Sequence, residues 1–228
     1  MPEVDVINSP DDVDADRVAT LDLGGTLVKD GYLPATFSYI NRELGMSREA
    51  ERNVFRTHQG DSGDIEDYHE YANHLTLSLR NADTGKDLTD FMVYANAVQD
   101  LIDDRSIISG AGEFVDYLQE EGYHTVALSS APRAVTVPFA DDIGIDAVYR
   151  FRDYVFDSET GDFQMVYVDE DAPNGKEDIV ELLEEDSEVL HVGNGGNDVG
   201  AFNKASEKIE RHDWSRNDEA YEEARKVV

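Results

Sequence analysis

Short apolar runs alternate with helical patterns along most of this chain. The run of residues 18–21 contains β-branched side chains, ends at Asp22, and is followed by two glycines, which is typical of a buried strand and its turn. Strands separated by helices predict an α/β fold, with a Rossmann-like, mostly parallel sheet and helices on both faces. Further strands are predicted at 125–128, 147–151 and 188–192, and helices at 113–121, from 131 to 142, and after Asn174.

Four local patterns extend this outline. Residues 1–16 are polar and are interpreted as a lead-in to the first strand. Pro138 is predicted to interrupt or kink its helix, because proline lacks an N–H group and clashes with the preceding turn. Apolar runs on both sides of residues 158–161 predict a β-hairpin. Asn174, with Glu177 three residues later, resembles a capping box at a helix start.

A long helical region separates the first strand from the others. From about residue 34 to 104 the apolar residues recur at helical spacing, and three polar, glycine-containing breaks divide the region into about four helices. We therefore predict a helical cap domain, residues 32–104, inserted into an α/β core domain formed by residues 1–31 and 105–228.

The chain is strongly acidic. It has 51 Asp and Glu against 19 Lys and Arg, which gives a formal net charge of −32 over 228 residues. Such a field repels nucleic acid and anionic membranes, so neither is expected as a partner. The acids are spread along the chain, which favours the surface of a halophilic protein, whose self-repulsion concentrated salt would screen.

Other composition features concern compartment and chemistry. The absence of cysteine excludes disulfides, thiolate metal sites and a cysteine nucleophile. The first residues lack the basic region and apolar core of a signal peptide, and no apolar run approaches membrane-spanning length. We expect a cytoplasmic, soluble protein; the sequence gives no indication of its oligomeric state.

Polar residues follow three of the predicted strands. Asp22 ends the first, Ser129 follows the second, and Asn194 and Asp198 lie in a glycine-rich turn after the last, while Lys176 begins a helix. Because ligands bind at the carboxyl ends of strands in open α/β sheets, we expect these groups to converge at one edge. On its own, Asp22 is compatible with a nucleophile, a cation ligand or a helix cap.

As a set, these residues suit a phosphate monoester. Asp22 could attack phosphorus and form an aspartyl-phosphate. The Gly24 carbonyl, Asp22 and a carboxylate of the last turn offer the oxygen ligands that Mg²⁺ prefers. Ser129 could donate a hydrogen bond to a phosphoryl oxygen, Lys176 could neutralise its charge, and Thr26 could orient the nucleophile.

In this order the motifs resemble the haloacid-dehalogenase-like phosphatases. Residues 22–27 are similar to that family's nucleophile loop, Ser129 to its second motif, Lys176 to its third, and residues 193–198 to its acidic loop. The resemblance spans about residues 17 to 200, and the layout after the cap is closest to the phosphoserine phosphatase branch. It implies a Mg²⁺-dependent phosphatase of a small phosphorylated metabolite, with the metal held by Asp22, Gly24, Asn194 and Asp198.

Two positions depart from the family pattern. The family's phosphatases usually carry a general acid/base aspartate two residues after the nucleophile, where this chain has Gly24. The first aspartate of the last loop is replaced by Asn194, which offers a neutral oxygen to a metal and removes one negative charge. General acid–base catalysis contributes typically about 10²–10⁴-fold, so alkyl phosphates are expected to turn over slowly.

Three functional hypotheses are compatible with these residues. The first is a phosphatase whose acid/base comes from the cap or from water, and which acts best on good leaving groups. The second is a catalytically impaired homologue that serves as a phosphate-ligand binding or regulatory protein. The third is different chemistry at Asp22, either phosphoryl transfer or carbon–halogen cleavage; the glycine-rich loop and Lys176 make dehalogenation the least favoured.

Overall fold

The computed structural model of the protein describes residues 4–29, 107–129, 131, 133–149, 152–157, 162–167, 175–195 and 198–210. Residues 133–135 and both strands between 152 and 167 are described by their backbone alone. The predicted helical cap, residues 32–104, lies outside the described residues.

A six-stranded sheet forms the centre of the described structure. All its strands are parallel, in the order β1–β4–β3–β2–β7–β8. Their bounds are β1 Asp5–Ile7, β2 Arg17–Leu21, β3 His124–Ala127, β4 Ala147–Tyr149, β7 Glu188–Gly193 and β8 Glu207–Glu210. Parallel neighbours separated by helical crossovers confirm the α/β, Rossmann-like fold expected from the sequence.

Within the described ranges, four α-helices, one 3₁₀-helix and a hairpin connect these strands. The helices are α1 Ala111–Glu120, α2 Arg133–Ile143, α3 Lys176–Leu183 and α4 Val199–Lys204, and the 3₁₀-helix is Pro10–Asp12. The predicted hairpin is confirmed by the antiparallel pair β5 Arg152–Asp157 and β6 Asp162–Tyr167. Pro138, which was predicted to interrupt or kink helix α2, does not interrupt it, because the helix continues for five more residues. No helix in the described part of the chain is long and apolar enough to span a membrane.

Both edge strands differ from the prediction. Residues 5–7 form β1 beside β4, so the polar lead-in is wrong and the strand before Asp22 is the second. Strand β8, which was not predicted, pairs with β7 and alternates between half-buried and exposed positions. A strand with only one covered side needs few apolar residues, and neither segment has the apolar run that marks a buried strand.

Strand β2 lies in the interior of the sheet and is covered on both faces. Residues 18–21 are all completely buried, although successive side chains point to opposite faces. On one face, Val18 packs in a cluster with Val189 of β7 and Ile179 of α3. Burial on both sides explains why this strand is a continuous apolar run and why its end is fixed in position.

Arg17 of β2 links this strand to the residues just before β3 and, through Tyr123, to β8. Its guanidinium donates hydrogen bonds to the Glu121 carbonyl oxygen and to the Tyr123 hydroxyl, each at 2.6 Å. The Tyr123 hydroxyl in turn donates to the Glu207 carboxylate at 3.0 Å. Burial, the hydrogen bond to Glu207 and the charge of that carboxylate raise the pKa of Tyr123 to about 12.

This pKa predicts alkaline destabilisation. The unfolded tyrosine has a pKa of about 10, so the folded state holds the proton more tightly. The contribution of Tyr123 to the free energy of unfolding is complete below pH 10 and is lost as the pH rises towards 12. We expect the stability difference between the wild type and Tyr123→Phe to shrink over this range in urea unfolding. Parallel pH curves for the two proteins would contradict the assignment.

Candidate active site

Asp22 lies where β2 leaves the sheet. Its backbone N–H donates to the Val192 carbonyl oxygen of β7 at 2.9 Å, so the strand pairing extends to this residue. The chain then turns tightly, because the Leu23 carbonyl oxygen accepts N–H groups from residues 26–28 at 2.8–3.1 Å. The turn brings the Thr26 hydroxyl back to Asp22, where it donates to Oδ2 at 2.8 Å.

Lys176 is the first residue of helix α3. The N-cap is Gly175, one residue after the predicted N-cap, Asn174; the predicted capping box itself lies outside the described residues. The apolar face of residues 179–183 was readable, but the sequence placed the helix start one residue early. As a result, Lys176 projects from the first turn towards the carboxyl edge of the sheet.

The Lys176 ammonium joins two carboxylates. Its Nζ lies 2.6 Å from Asp22 Oδ1 and 2.6 Å from Asp198 Oδ1. All three side chains are buried. A cation at a helix N-terminus opposes the helix dipole, and a buried cation loses its hydration. The two carboxylates offset both costs, so the position of Lys176 depends on them.

Asp198 is held by three donors. Its Oδ1 accepts from Lys176 and, at 3.4 Å, from His191 Nε2, while its Oδ2 accepts the Asn194 backbone N–H at 3.1 Å. The carboxylate packs directly on the backbone of Gly193. A Cβ at that glycine would lie 2.5 Å from Asp198 Cγ, closer than such atoms approach. Glycine at the end of β7 therefore allows Asp198 to reach Lys176.

The protonation equilibria of the cluster follow from burial and charge. Burial raises the pKa of Asp22, with Lys176 opposing and the Asp198 charge reinforcing that shift. Burial also disfavours a charged Lys176, but the two carboxylates outweigh it and raise the pKa of the ammonium. Burial would raise the pKa of Asp198 too, yet the hydrogen bond from His191 and the Lys176 charge hold it below its usual value. The lysine therefore stays charged at neutral pH.

The turns after β2 and β7 are joined by Asn194. Its side-chain amide Nδ2 donates to the Gly24 carbonyl oxygen at 3.2 Å. Gly24 itself lies in the turn and forms a bridge with Val28. These two positions, at which a metal-binding oxygen was predicted, are therefore adjacent.

Ser129 lies at the end of the neighbouring strand. The backbone N–H of Leu128 donates to the Leu21 carbonyl oxygen at 2.8 Å, which extends the pairing of β3 with β2. The Ser129 hydroxyl oxygen accepts the Ala131 N–H at 3.2 Å, and its hydrogen can donate to another acceptor. The side chain is buried, at the same carboxyl edge as Asp22.

The sequence matches a known protein family over most of its length. The family model of the haloacid dehalogenase-like hydrolases matches residues 17–206. The chain belongs to this family. The match includes every predicted site residue, so the recognition made from the sequence and the prediction of a hydrolase are confirmed. No curated protein matches the chain.

Three solved structures illustrate how widely the family's fold is shared. A protein with unknown function from Bordetella pertussis Tohama I has a TM-score of 0.64 at 16% identity, over 93% of this chain and 96% of its own. A phosphoserine phosphohydrolase-like protein from Francisella tularensis has a TM-score of 0.61 at 18% identity, over 85% and 86%. Phosphoserine phosphatase from T. onnurineus has a TM-score of 0.57 at 20% identity, over 86% and 84%. At these identities the likeness shows the fold alone.

The candidate ligands at the haloacid dehalogenase-like site are oxygen atoms, which Mg²⁺ prefers, but few of them carry a negative charge. Asp22, the Gly24 carbonyl and the Asn194 side chain offer hard oxygen ligands at one sheet edge. Within the described ranges, however, no three His, Cys, Asp or Glu side chains are grouped as metal ligands. Asp198 already accepts three hydrogen bonds from the protein, which leaves little of its carboxylate for a cation.

The structure unites most of the predicted residues and adds two that the sequence analysis missed. Asp22, Thr26, Lys176 and Asp198 form one hydrogen-bonded cluster, Asn194 links Asp198 to Gly24, and Ser129 stands at the adjacent strand end. The residues that were missed are His191 and Thr20, which lie beneath Asp198. Polar residues in an otherwise apolar strand were the available signal.

A pair of alanine variants tests the packing of Asp198. In Gly193→Ala the new methyl group must displace Asp198, so we expect a loss of about 1–3 kcal/mol, as for other overpacked sites. In Gly112→Ala of α1 the methyl group meets only the Ile143 carbonyl oxygen at 3.6 Å, so we expect a gain of about 0.5 kcal/mol. Urea unfolding measures both. Equal stability of the two variants would contradict the close approach at Gly193.

Proposed function

We propose that this protein is a Mg²⁺-dependent phosphate-monoester hydrolase that acts on a small phosphorylated metabolite through an aspartyl-phosphate on Asp22. The observation that carries the proposal is the Lys176 ammonium, 2.6 Å from the carboxylates of both Asp22 and Asp198 at the carboxyl edge of a parallel sheet. The printed names of two structural neighbours, which refer to phosphoserine, support a phosphorylated substrate at the level of the fold.

The proposed reaction has two steps. In the first, an Asp22 carboxylate oxygen forms a bond to phosphorus while the bond to the leaving oxygen breaks, and the leaving oxygen takes up a proton. In the second, water attacks the same phosphorus, which releases inorganic phosphate, regenerates the carboxylate and frees a proton. The Thr26 hydroxyl on Oδ2 fixes the orientation of the nucleophile in both steps.

Lys176 and Ser129 serve the transferring group. The ammonium lies against the attacking carboxylate, so it is placed to neutralise charge on phosphoryl oxygens bound at Asp22. Ser129 has its hydroxyl oxygen bonded to Ala131, which orients its hydrogen for donation to one of the same oxygens. Asp198 accepts a second hydrogen bond from the Lys176 ammonium and so helps to keep it in place.

For Mg²⁺, the proposed ligands are Asp22, the Gly24 carbonyl, Asn194 and the acceptor position that the three hydrogen bonds leave on Asp198. Bound there, the cation would supply Lewis-acid stabilisation of a phosphoryl oxygen. The hydrogen bond from Asn194 Nδ2 to the Gly24 carbonyl has to be given up for the amide to turn its oxygen to a cation. We therefore expect weak magnesium affinity, with millimolar Mg²⁺ needed in assays.

Gly24 limits the proposed rate. It has no side chain to protonate a leaving alkoxide or to activate the attacking water. The missing acid–base contribution is about 10²–10⁴-fold for a poor leaving group and small for a phenolate, which leaves without a proton. The site therefore favours activated esters unless a group from residues 32–104, outside the described structure, supplies the proton.

The second candidate function is a catalytically impaired homologue that binds a phosphate ligand or regulates a partner. The observation that favours it is that the charged groups of the site already hydrogen-bond to one another. Lys176 bonds two carboxylates, and Asp198 accepts three hydrogen bonds. Such a site retains a cation for phosphate without the proton shuttle that completes turnover.

A comparison of leaving groups tests the hydrolase. In 2–3 M KCl, chosen to screen the net charge of −32, and with Mg²⁺, we expect p-nitrophenyl phosphate to be hydrolysed at least about 100-fold faster than an alkyl phosphate. The measurement is phosphate release by each substrate at matched concentrations. Asp22→Asn is the control, since it keeps the shape of the side chain and removes the nucleophile. Release that is equal in the wild type and this control would sink the proposal.

Restoring the family residues tests why turnover is slow. We expect Gly24→Asp to raise kcat for the alkyl phosphate by about 10²-fold or more while changing the phenyl ester little. Gly24→Asn is the matched control, because it adds the same volume without a titratable group. Asn194→Asp, which returns a negative charge, is expected to lower the Mg²⁺ concentration for half-maximal activity. If a variant that carries both Gly24→Asp and Asn194→Asp shows no gain in kcat, the substrate site itself is no longer competent.

Ligand stabilisation separates the two candidates. Thermal unfolding with Mg²⁺ and BeF₃⁻, which mimics a phosphoryl group on aspartate, should raise the midpoint of the wild type and leave Asp22→Asn unchanged. Stabilisation accompanied by turnover supports the hydrolase, and stabilisation without turnover supports the binding protein. A panel of phosphorylated metabolites in the same assay then identifies the substrate class.

A further inference from the structure

A buried histidine lies directly beneath the carboxylate cluster. His191, in β7, is completely inaccessible to solvent, as are Thr20 and Asp198 on either side of it. Its Nδ1 lies 2.8 Å from the Thr20 hydroxyl oxygen and its Nε2 lies 3.4 Å from Asp198 Oδ1. The ring packs edge-on against Phe202 of α4, with centroids 5.1 Å apart. Both ring nitrogens therefore have polar partners inside an otherwise apolar layer.

Strand register produces this contact. Thr20 and His191 are directly paired across β2 and β7, so their side chains lie side by side on one face. Asp22 is two residues beyond Thr20 and belongs to the same face by the alternation of the strand. The histidine thus lies one step below the carboxyl edge, where it contacts Asp198 and, being completely buried, does not face the substrate side.

The hydrogen-bond geometry determines which nitrogen carries a proton. An ionised Asp198 only accepts hydrogen bonds, so the nitrogen facing it, Nε2, must be the donor. In a neutral ring Nδ1 is then an acceptor. The Thr20 hydroxyl has one hydrogen and two acceptors within reach, and the shorter contact, 2.8 Å to Nδ1 against 3.4 Å to the Leu190 carbonyl oxygen, makes Nδ1 the favoured acceptor. The opposite tautomer would place a lone pair of Nε2 against the Asp198 oxygen.

We propose that His191 is a positioning residue, which holds the Asp198 carboxylate through Nε2–H while Thr20 fixes the orientation and tautomer of its ring. Asp198 in turn holds Lys176, and Lys176 contacts Asp22, so the histidine acts on the reacting atoms through two intermediates. The catalytic consequence rests on the proposed phosphatase function. The hydrogen bond to Asp198 is independent of that function.

Kinetics of two His191 variants test the consequence. His191→Leu fills the space without a donor, and we expect kcat for p-nitrophenyl phosphate to fall about tenfold, as for loss of a hydrogen bond to a charged acceptor. His191→Gln can place its amide nitrogen near the former Nε2, so it should recover most of the rate. An unchanged kcat in His191→Leu, or equal losses in the two variants, would overturn the proposal.

A matched pair of threonine variants separates positioning from general packing. Thr20→Val and Thr125→Val make the same change at two completely buried positions of neighbouring strands. The Thr125 hydroxyl bonds Asp146 at 2.7 Å, away from the site, whereas the Thr20 hydroxyl bonds His191. We expect both to lower the thermal midpoint and only Thr20→Val to lower kcat. Parallel kinetic effects would assign the Thr20–His191 pair to packing alone.

Long-range ¹H–¹⁵N NMR of the full chain tests the hydrogen bond without reference to activity. The chain has six histidines, and the His191 signals are those lost in His191→Gln. We expect a protonated Nε2 whose shift moves in Asp198→Asn. An unprotonated Nε2, or a shift insensitive to that change, would overturn the proposal even in an active enzyme. If the wild type has no turnover, the phosphatase proposal fails and the NMR result alone decides the His191 arrangement.

Discussion

The buried ammonium of Lys176 is the constraint around which the site is built. At the first position of a helix, removed from solvent, this cation is unfavourable unless negative charge lies beside it, and Asp22 and Asp198 each supply that at 2.6 Å. The arrangement requires β2 and β7 to end at the same level, α3 to begin opposite them, and glycine at the end of β7, where a Cβ would displace Asp198. Local sequence choices in three separate elements thus serve one electrostatic contact.

Much of this arrangement was predictable from the sequence, because the interior strands are apolar runs that end on polar residues. Residues 18–21 and 188–192 are marked by that pattern, and their carboxyl ends define the edge at which Asp22 and Asp198 meet. The edge strands at 5–7 and 207–210 were not predicted, since a strand that is half exposed needs no apolar run. The predicted start of α3 was one residue too early, because both Asn174 and Gly175 are acceptable N-cap residues.

His191 shows why the network under the site could not be read in the same way. The sequence places it in a strand, but its contact with Thr20 depends on which residues of β2 and β7 are paired, and a slip of one residue would move the ring to the other face. Register is set by the packing of both faces against the helices, a property of the assembled sheet. The charge network beneath Asp198 therefore emerges only when non-local pairing is known.

The two departures from the family pattern acquire a common electrostatic meaning in this structure. Asp22, Asp198 and Lys176 carry a formal charge of −1 together, and Gly24 and Asn194 add none where aspartates would add two negative charges. The Asn194 amide instead donates to the Gly24 carbonyl, so the two turns are joined without a cation between them. On a chain with a net charge of −32, a less negative site reduces the repulsion that an anionic phosphate meets at short range, where salt screens least. In the phosphatase that we propose, the same change removes the proton shuttle, so easier anion binding and slower hydrolysis would follow from one set of residues.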